Sequence, residues 1–353
     1  MRRRGESCRG ARSVRSIRRI GPCSIVFLKV ASIPWLVLSC LIGGCGSNGI
    51  DPNGLPRDYR QDMRDFVEAI SVWAKSSHAR FIVIPQNGQE LLTDTGTPDG
   101  PLSIVYVAAI DGLGREDLFY GYHGDDIPTP AGEQSWMISF LNLAEASGVD
   151  VLITDYCTTP RYVDDSYSQN AQRGYVSFAT DRALDTIPTY PAVPFERNTS
   201  DITTLSESRN FLYLLDPSRF RDREAYLGAL KSTDYDVLLI DAFYQNTMLT
   251  AEDVLSLGVK VGGGSRLVIA YVSIGEAEDY RYYWNAEWEH SPPSWLTEEN
   301  PDWAGNYKVR YWDTEWQRLI YGTSDSYLGR ILAAGFDGAY LDIVDAFEYF
   351  EDQ

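Results

Sequence analysis

Short apolar, β-branched runs recur along the chain and alternate with longer stretches of helical periodicity. They read RFIVI at 80–84, IVYVAAI at 104–110, DVLIT at 150–154, YVSFA at 175–179, FLYLL at 211–215, DVLLI at 236–240, LVIAYVSI at 267–274 and GAYLD at 338–342. Runs this short and this continuously apolar predict strands covered on both faces, the condition of a parallel sheet wrapped by helices. Between them, 60–75 sets Met63, Phe66, Val67, Ile70 and Trp73 at helical spacing, and further helices are predicted over 134–147, 222–231, 250–258 and 314–334. Gly148, Gly258 and Gly335 fall where helices should stop. Eight β/α repeats predict an α/β fold, a single (β/α)8 TIM barrel. A doubly wound sheet is the alternative, and the lack of a glycine-rich first turn counts against it.

Residues 1–45 stand apart from this pattern. Eight Arg, one Lys and one Glu occupy residues 1–30, and ASIPWLVLSCLIGGC completes the segment. A basic stretch before an apolar one of this length predicts a signal peptide, since the apolar part is short and interrupted for a membrane span. Ile42-Gly43-Gly44-Cys45 resembles a bacterial lipobox, so Cys45 is the expected lipidation site, with Cys40 the alternative position and plain secretion the alternative fate. Residues 46–56 read as a tether and 57–353 as the barrel. The expected location is the bacterial cell envelope, lipid-anchored or secreted, with the membrane a partner through the anchor and the protein a monomer.

Removing the leader changes the charge. Nine Lys or Arg and one acid lie in residues 1–44, so the rest holds 22 basic residues against 49 acidic. Such a surface repels phosphate polymers, and with no nucleotide motif it argues against a nucleic-acid partner. Cys157 is the one cysteine beyond residue 45, so the body has no internal disulfide. His78, His123 and His290 are scattered, without zinc-ligand spacing, and beyond residue 49 no GxGxxG, P-loop or GxSxG pattern occurs. No metal and no cofactor are expected.

A barrel builds its site at the C-terminal ends of its strands. Acids recur there: Glu90 after Gln86 and Asn87, then Glu116 and Asp117, Asp155, Asp181, Asp216, Asp241, Glu276, and Asp342 with Asp345. Carboxylates without a Ser, Cys or His nucleophile point to glycoside hydrolysis, in which one carboxyl protonates the leaving oxygen and another attacks or activates water. Helix capping is the competing role, best fitted by Asp216 before Pro217-Ser218. Trp284, Trp288, Trp295, Trp303 and Trp312 crowd a long interruption before the last strand. They fit either a sugar-stacking groove or a small core of the loop itself.

The segments IDAF, YVSIGEAEDYRYYW, WAGNYKVRYWDTEWQ and FDGAYLDIVDAFEYF are similar to the endo-α-1,4-polygalactosaminidase-like group, glycoside hydrolase family 114 and its bacterial and archaeal relatives. The similarity covers residues 210–353. IPQNGQELL, REDLFYGY and VLITDYC resemble segments that follow, rather than precede, that region in the relatives, so the resemblance implies a circularly permuted barrel. It further implies cleavage of an α-1,4-linked galactosamine-type polysaccharide or oligosaccharide outside the cytoplasm. The family's catalytic Asp corresponds to Asp241. Its catalytic Glu corresponds to Tyr340, a departure that transfers the expectation to Asp342 or Glu276. Asp155, Gln86, Asn87, Glu116, Tyr340, Tyr280 and Asp345 are the expected sugar-binding residues. The departure also leaves open a catalytically weak carbohydrate-binding lipoprotein on the same barrel.

Overall fold

Seven of the eight runs form parallel strands in the computed structural model, which describes residues 49–51 and 54–353. The expected leader with Cys45 lies outside the described residues, as does part of the 46–56 tether. The parallel strands are β1 (Ile82–Pro85), β2 (Gly112–Glu116), β3 (Asp150–Tyr156), β4 (Val176–Thr180), β5 (Phe211–Leu214), β6 (Val237–Asp241), β7 (Leu267–Ser273) and β8 (Gly338–Asp342). Five of them form one sheet in the order β1-β8-β7-β6-β5, and three form a second in the order β2-β3-β4. The fold is mixed α/β, with α-helices between successive parallel strands except β4 and β5, which the segment 181–210 joins with one 3-10 turn at Leu205–Glu207.

The run at 104–110 is the exception. It forms the short helix Ile104–Ala109, with Ile104 75% and Val105 66% exposed. The strand lies just beyond it, at Gly112-Leu113-Gly114-Arg115-Glu116. Two glycines conceal it from a reading based on branched residues, and both are required by close neighbours. A Cβ on Gly114 would stand 2.0 Å from Tyr340 Oη and 2.5 Å from Cζ, and one on Gly112 would stand 2.7 Å from a Leu205 methyl. Tyr340 therefore reaches from the five-stranded sheet to the backbone of the three-stranded one. Its ring packs on Tyr213, centroids 5.4 Å apart.

The sheets meet at two seams. At the first, Gln86 and Gly114 form a parallel bridge, and Asn87 N donates to Gly114 O at 2.8 Å. At the second, Phe178 of β4 packs on Phe211 of β5 at 5.6 Å, and Leu215 N, after β5, donates to Leu184 O at 2.9 Å. The polar segment 182–209 passes close to the starts of several strands. There Leu205 packs against Gly112, and Asn198 bonds to Asp236, which also forms a fully buried 2.8 Å ion pair with Lys260.

Two helical expectations need correction. The stretch 314–334 is two helices, Thr314–Ile320 and Tyr327–Ala334, separated where Ser326 caps the second through Gly329 N. A helix at Pro160–Ala171, started by Pro160, carried too little apolar periodicity to be anticipated. The tryptophan-rich interruption holds a small core, with Trp303 left 48% exposed. Rings of Trp284, Trp288, Trp295 and Trp316 contact in series at 5.2, 5.0 and 5.2 Å, and Trp295 is buried. They stand behind an antiparallel ribbon of Glu276–Glu278, Asn306–Val309 and Leu296–Glu299.

Gly114→Ala is expected to lower stability by about 1–3 kcal/mol, the usual cost of overpacking. Tyr340→Phe is expected to leave stability unchanged or raise it, because Tyr340 Oη is buried without a partner. Urea denaturation of both variants checks this; a Gly114→Ala protein as stable as the parent would show that the ring moves aside freely.

Candidate active site

The strand register places Ile84, Tyr340, Tyr271 and Asp241 at one level of the large sheet, so their side chains share a face. Asp342, two residues beyond Tyr340, shares it too. Asp241 and Asp342 thus close two strands on either side of β7, the strands about 10 Å apart at the ordinary spacing and Asp342 two residues further along.

Asp241 ends β6. Its Oδ1 accepts from Phe243 N at 2.8 Å and from Arg281 Nη1 at 2.9 Å. Arg281 is buried and is held on its other side by Glu278, whose Oε2 accepts from Nε at 2.5 Å and Oε1 from Nη2 at 3.2 Å. Tyr280, half exposed, donates to the same Glu278. Burial raises the Asp241 carboxyl, and the Arg281 cation opposes that rise. A cavity of about 220 Å³ beside Arg281 is lined by Phe243, Gln245, Asn246, Tyr280 and Tyr282.

The turn from β7 into this network needs Gly275, where a Cβ would stand 2.2 Å from Ile343 O. Beyond it, Glu276 is buried in the ribbon. It accepts from Asn300 Nδ2 at 2.7 Å and faces Lys308 Nζ at 3.7 Å. Its partners all belong to the ribbon, so the glutamate joined to Asp241 is Glu278 and the expectation for Glu276 is revised.

Asp342 ends β8 in different surroundings. Its Oδ2 accepts from Tyr271 Oη at 2.6 Å and its Oδ1 from Ile343 N at 2.8 Å. Ile343 has φ 58°, a left-handed conformation that a β-branched residue rarely takes. Burial, then the charge of Glu116, pushes Asp342 up to about 8. Glu116 accepts from Tyr156 Oη, and from Asn87 Nδ2 at 3.3 Å. Arg115 gives Nη1 to Asn87 Oδ1 at 3.1 Å and to Gln89 Oε1 at 3.3 Å. Acids continue outward: burial and Glu348 push Asp345 up to about 7, and burial and Glu90 push Glu348 up to about 7. On the other side of Glu116, burial pushes Asp117 up to about 6 against the pull of Arg182.

Residues 198–353 match the model of glycoside-hydrolase family GH114. This segment is GH114-like. It is 38% identical over 159 residues to an uncharacterized protein of Methanocaldococcus jannaschii, covering 44% of this chain and 43% of that protein. Uncharacterized proteins of Thermotoga maritima and Deinococcus radiodurans are 33% identical over 154 residues and 36% over 128, covering 46% and 39% of their lengths. The chain thus spans less than half the length of the curated relatives it matches. Glycoside hydrolase chemistry, with a carbohydrate substrate, is the activity class that the GH114-like segment supports.

That segment supplies Asp241, Tyr271, Glu278, Arg281, Asp342 and Asp345. Residues before it supply Glu116 and Asn87, together with Gln86, which is buried and accepts from Tyr213 Oη at 2.9 Å. Asp155 is not with them. It is fully buried and accepts from Phe119 N, Tyr120 N, Ser166 and Asn170, so it braces a turn instead of facing a sugar. Tyr340 likewise lies beneath the acids with its ring enclosed. Tyr271, Glu278 and Arg281 were missed as site residues. The run Glu276-Ala277-Glu278-Asp279-Tyr280-Arg281 offered several equivalent charges, and β7 read as core throughout.

The raised carboxyls set a pH dependence. Unfolded, they titrate near 4; folded, Asp342, Asp345, Glu348 and Asp117 titrate between about 6 and about 8. In that window the native state holds more protons, so stability rises as pH falls. Thermal melts should give a higher midpoint at pH 5 than at pH 8.5, and Asp342→Asn should flatten the difference. A midpoint that climbs with pH would contradict this account of the acids.

Proposed function

We propose that the protein is an extracytoplasmic glycoside hydrolase that cleaves a galactosamine-type, α-1,4-linked polysaccharide by carboxylate acid/base catalysis. The observation that carries the reading is the contrast between Asp241 and Asp342. They end strands on either side of β7. One is in contact with a buried cation, whereas the other is desolvated beside a second carboxylate. Paired carboxyls driven apart in acidity are what this reaction uses. Asp342, protonated at neutral pH, donates to the leaving glycosidic oxygen. Asp241, whose carboxylate form the Arg281 contact favours, attacks the anomeric carbon or activates water against it. Tyr271, in register with Asp241 on the strand between them, holds Asp342.

Beside Asp342, the carboxyls of Glu116, Asp345 and Glu348 line the mouth with acidic oxygens, and a deacetylated, cationic amino sugar suits them by favouring their ionised forms. In this reading the two parallel sheets are arcs of one (β/α)8 barrel, permuted relative to the family, with 182–209 bridging the ancestral termini. Contacts at both seams support it. The leader would deliver the barrel to the cell envelope through lipidation of Cys45.

A second reading, a sugar-binding barrel with little turnover, is favoured by Tyr340. It stands at the position of the family's Glu, and its enclosed hydroxyl has no partner among the described residues.

Oligosaccharide release from a de-N-acetylated α-1,4-galactosamine polymer separates the two. Asp342→Asn and Asp241→Asn should each lower kcat by about 100- to 10,000-fold while polymer binding persists. Parent activity should fall as pH rises through about 8, where Asp342 loses its proton. Binding by the parent without hydrolysis would favour the second reading.

A further inference from the structure

Arg281 is the cation at Asp241, and its surroundings show why it stays there. The guanidinium is buried among the rings of Tyr280, Tyr327 and Phe243, at 5.2, 5.5 and 5.6 Å from their centroids. A buried guanidinium is tolerated only when its charge and donors are matched. Glu278, itself buried, takes two of those donors and fixes the plane of the group. The remaining nitrogen, Nη1, is then aimed at Asp241. Both hydrogen bonds to Asp241 fall on Oδ1, from Nη1 and from Phe243 N. Oδ2 is left without a protein partner among the described residues.

We infer that Arg281, clamped by Glu278, is the positioning residue of the site: it fixes Asp241 by one oxygen and presents the other, charged, to the reacting carbon or its water. The inference rests on the hydrolase reading for the role of Oδ2, but the clamp itself does not. Other titratable groups near Asp241 are Tyr280, Tyr327 and Tyr226, all held above the ordinary tyrosine range, chiefly by burial, and so neutral. They leave Arg281 as the positive charge that faces the carboxylate.

The test uses the whole chain labelled with 13C at aspartate side-chain carboxyls. Asp241 is assigned by difference from Asp241→Asn, and its titration is followed in Arg281→Gln and Arg281→Lys. Losing an opposite charge at contact distance should raise the Asp241 titration by about 1–3 units, a 10- to 1,000-fold change in its ionisation constant. Arg281→Lys should keep most of the original value. In the same variants the acidic limb of kcat/KM should move with the titration, and kcat should fall more than KM rises. If Arg281→Gln fails to fold, Glu278→Gln with Arg281→Gln removes both buried charges, and a smaller rise is read there because the Glu278 charge, which itself raises Asp241, is lost too. An Asp241 titration that does not move in a folded variant would overturn the inference. A parent that hydrolyses nothing would instead overturn the hydrolase reading, with the titration still deciding the clamp.

Discussion

The site depends on one packing contact, the ring of Tyr340 lying across the space between two parallel sheets and ending on the backbone of Gly114. A ring that size is accommodated only where the opposing strand has no side chain. The contact therefore binds the sequence of β2 to that of β8, more than two hundred residues later. It also sets the floor of the site: Asp342 stands two residues above the ring, and Gln86, the seam residue paired with Gly114, accepts from Tyr213, which packs on that ring.

Above that floor, charge is distributed unevenly. Toward β6 the carboxylate of Asp241 has a buried cation in contact, itself held by a second carboxylate. Toward β8, β2 and the last helix, Asp345 and Glu348 share the pull of Arg115, and these two and Asp342 are pushed to about 7 or about 8. Desolvation acts on both groups; what differs is whether a cation is in contact. Burial thus raises Asp241 as it raises Asp342, and at Asp241 the contacting Arg281 opposes the rise. Part of the arrangement comes from the GH114-like segment and part from residues before it, since Glu116 raises Asp342 from the smaller sheet.

Much of the fold was legible. Continuous apolar runs and 3.6-residue periodicity located seven parallel strands and most of the longer helices, because those patterns are local consequences of burial. The strand Gly112–Glu116 was not legible, since its glycines answer to Tyr340 and Leu205 rather than to any local preference. The helix Pro160–Ala171 is polar enough to hide in the same way. The tryptophans of 284–312 announced an unusual loop but not its inside, and the chain of ring contacts resolved Trp284, Trp288 and Trp295 as a core while Trp303 stays exposed.

For the site, the sequence by itself determined that carboxylates gather at strand ends, that Asp241 and Asp342 occupy two of them, and that a charged, aromatic stretch follows β7. Only the tertiary structure decided which acids act together. Glu278 rather than Glu276 is joined to Asp241, Asp155 is enclosed as a brace, and Tyr271 holds Asp342. The reason is that strand position is encoded by neighbours a few residues away. A carboxylate's partners, and with them its charge, come from chain segments tens to hundreds of residues distant, and these meet only when the strands fall into register.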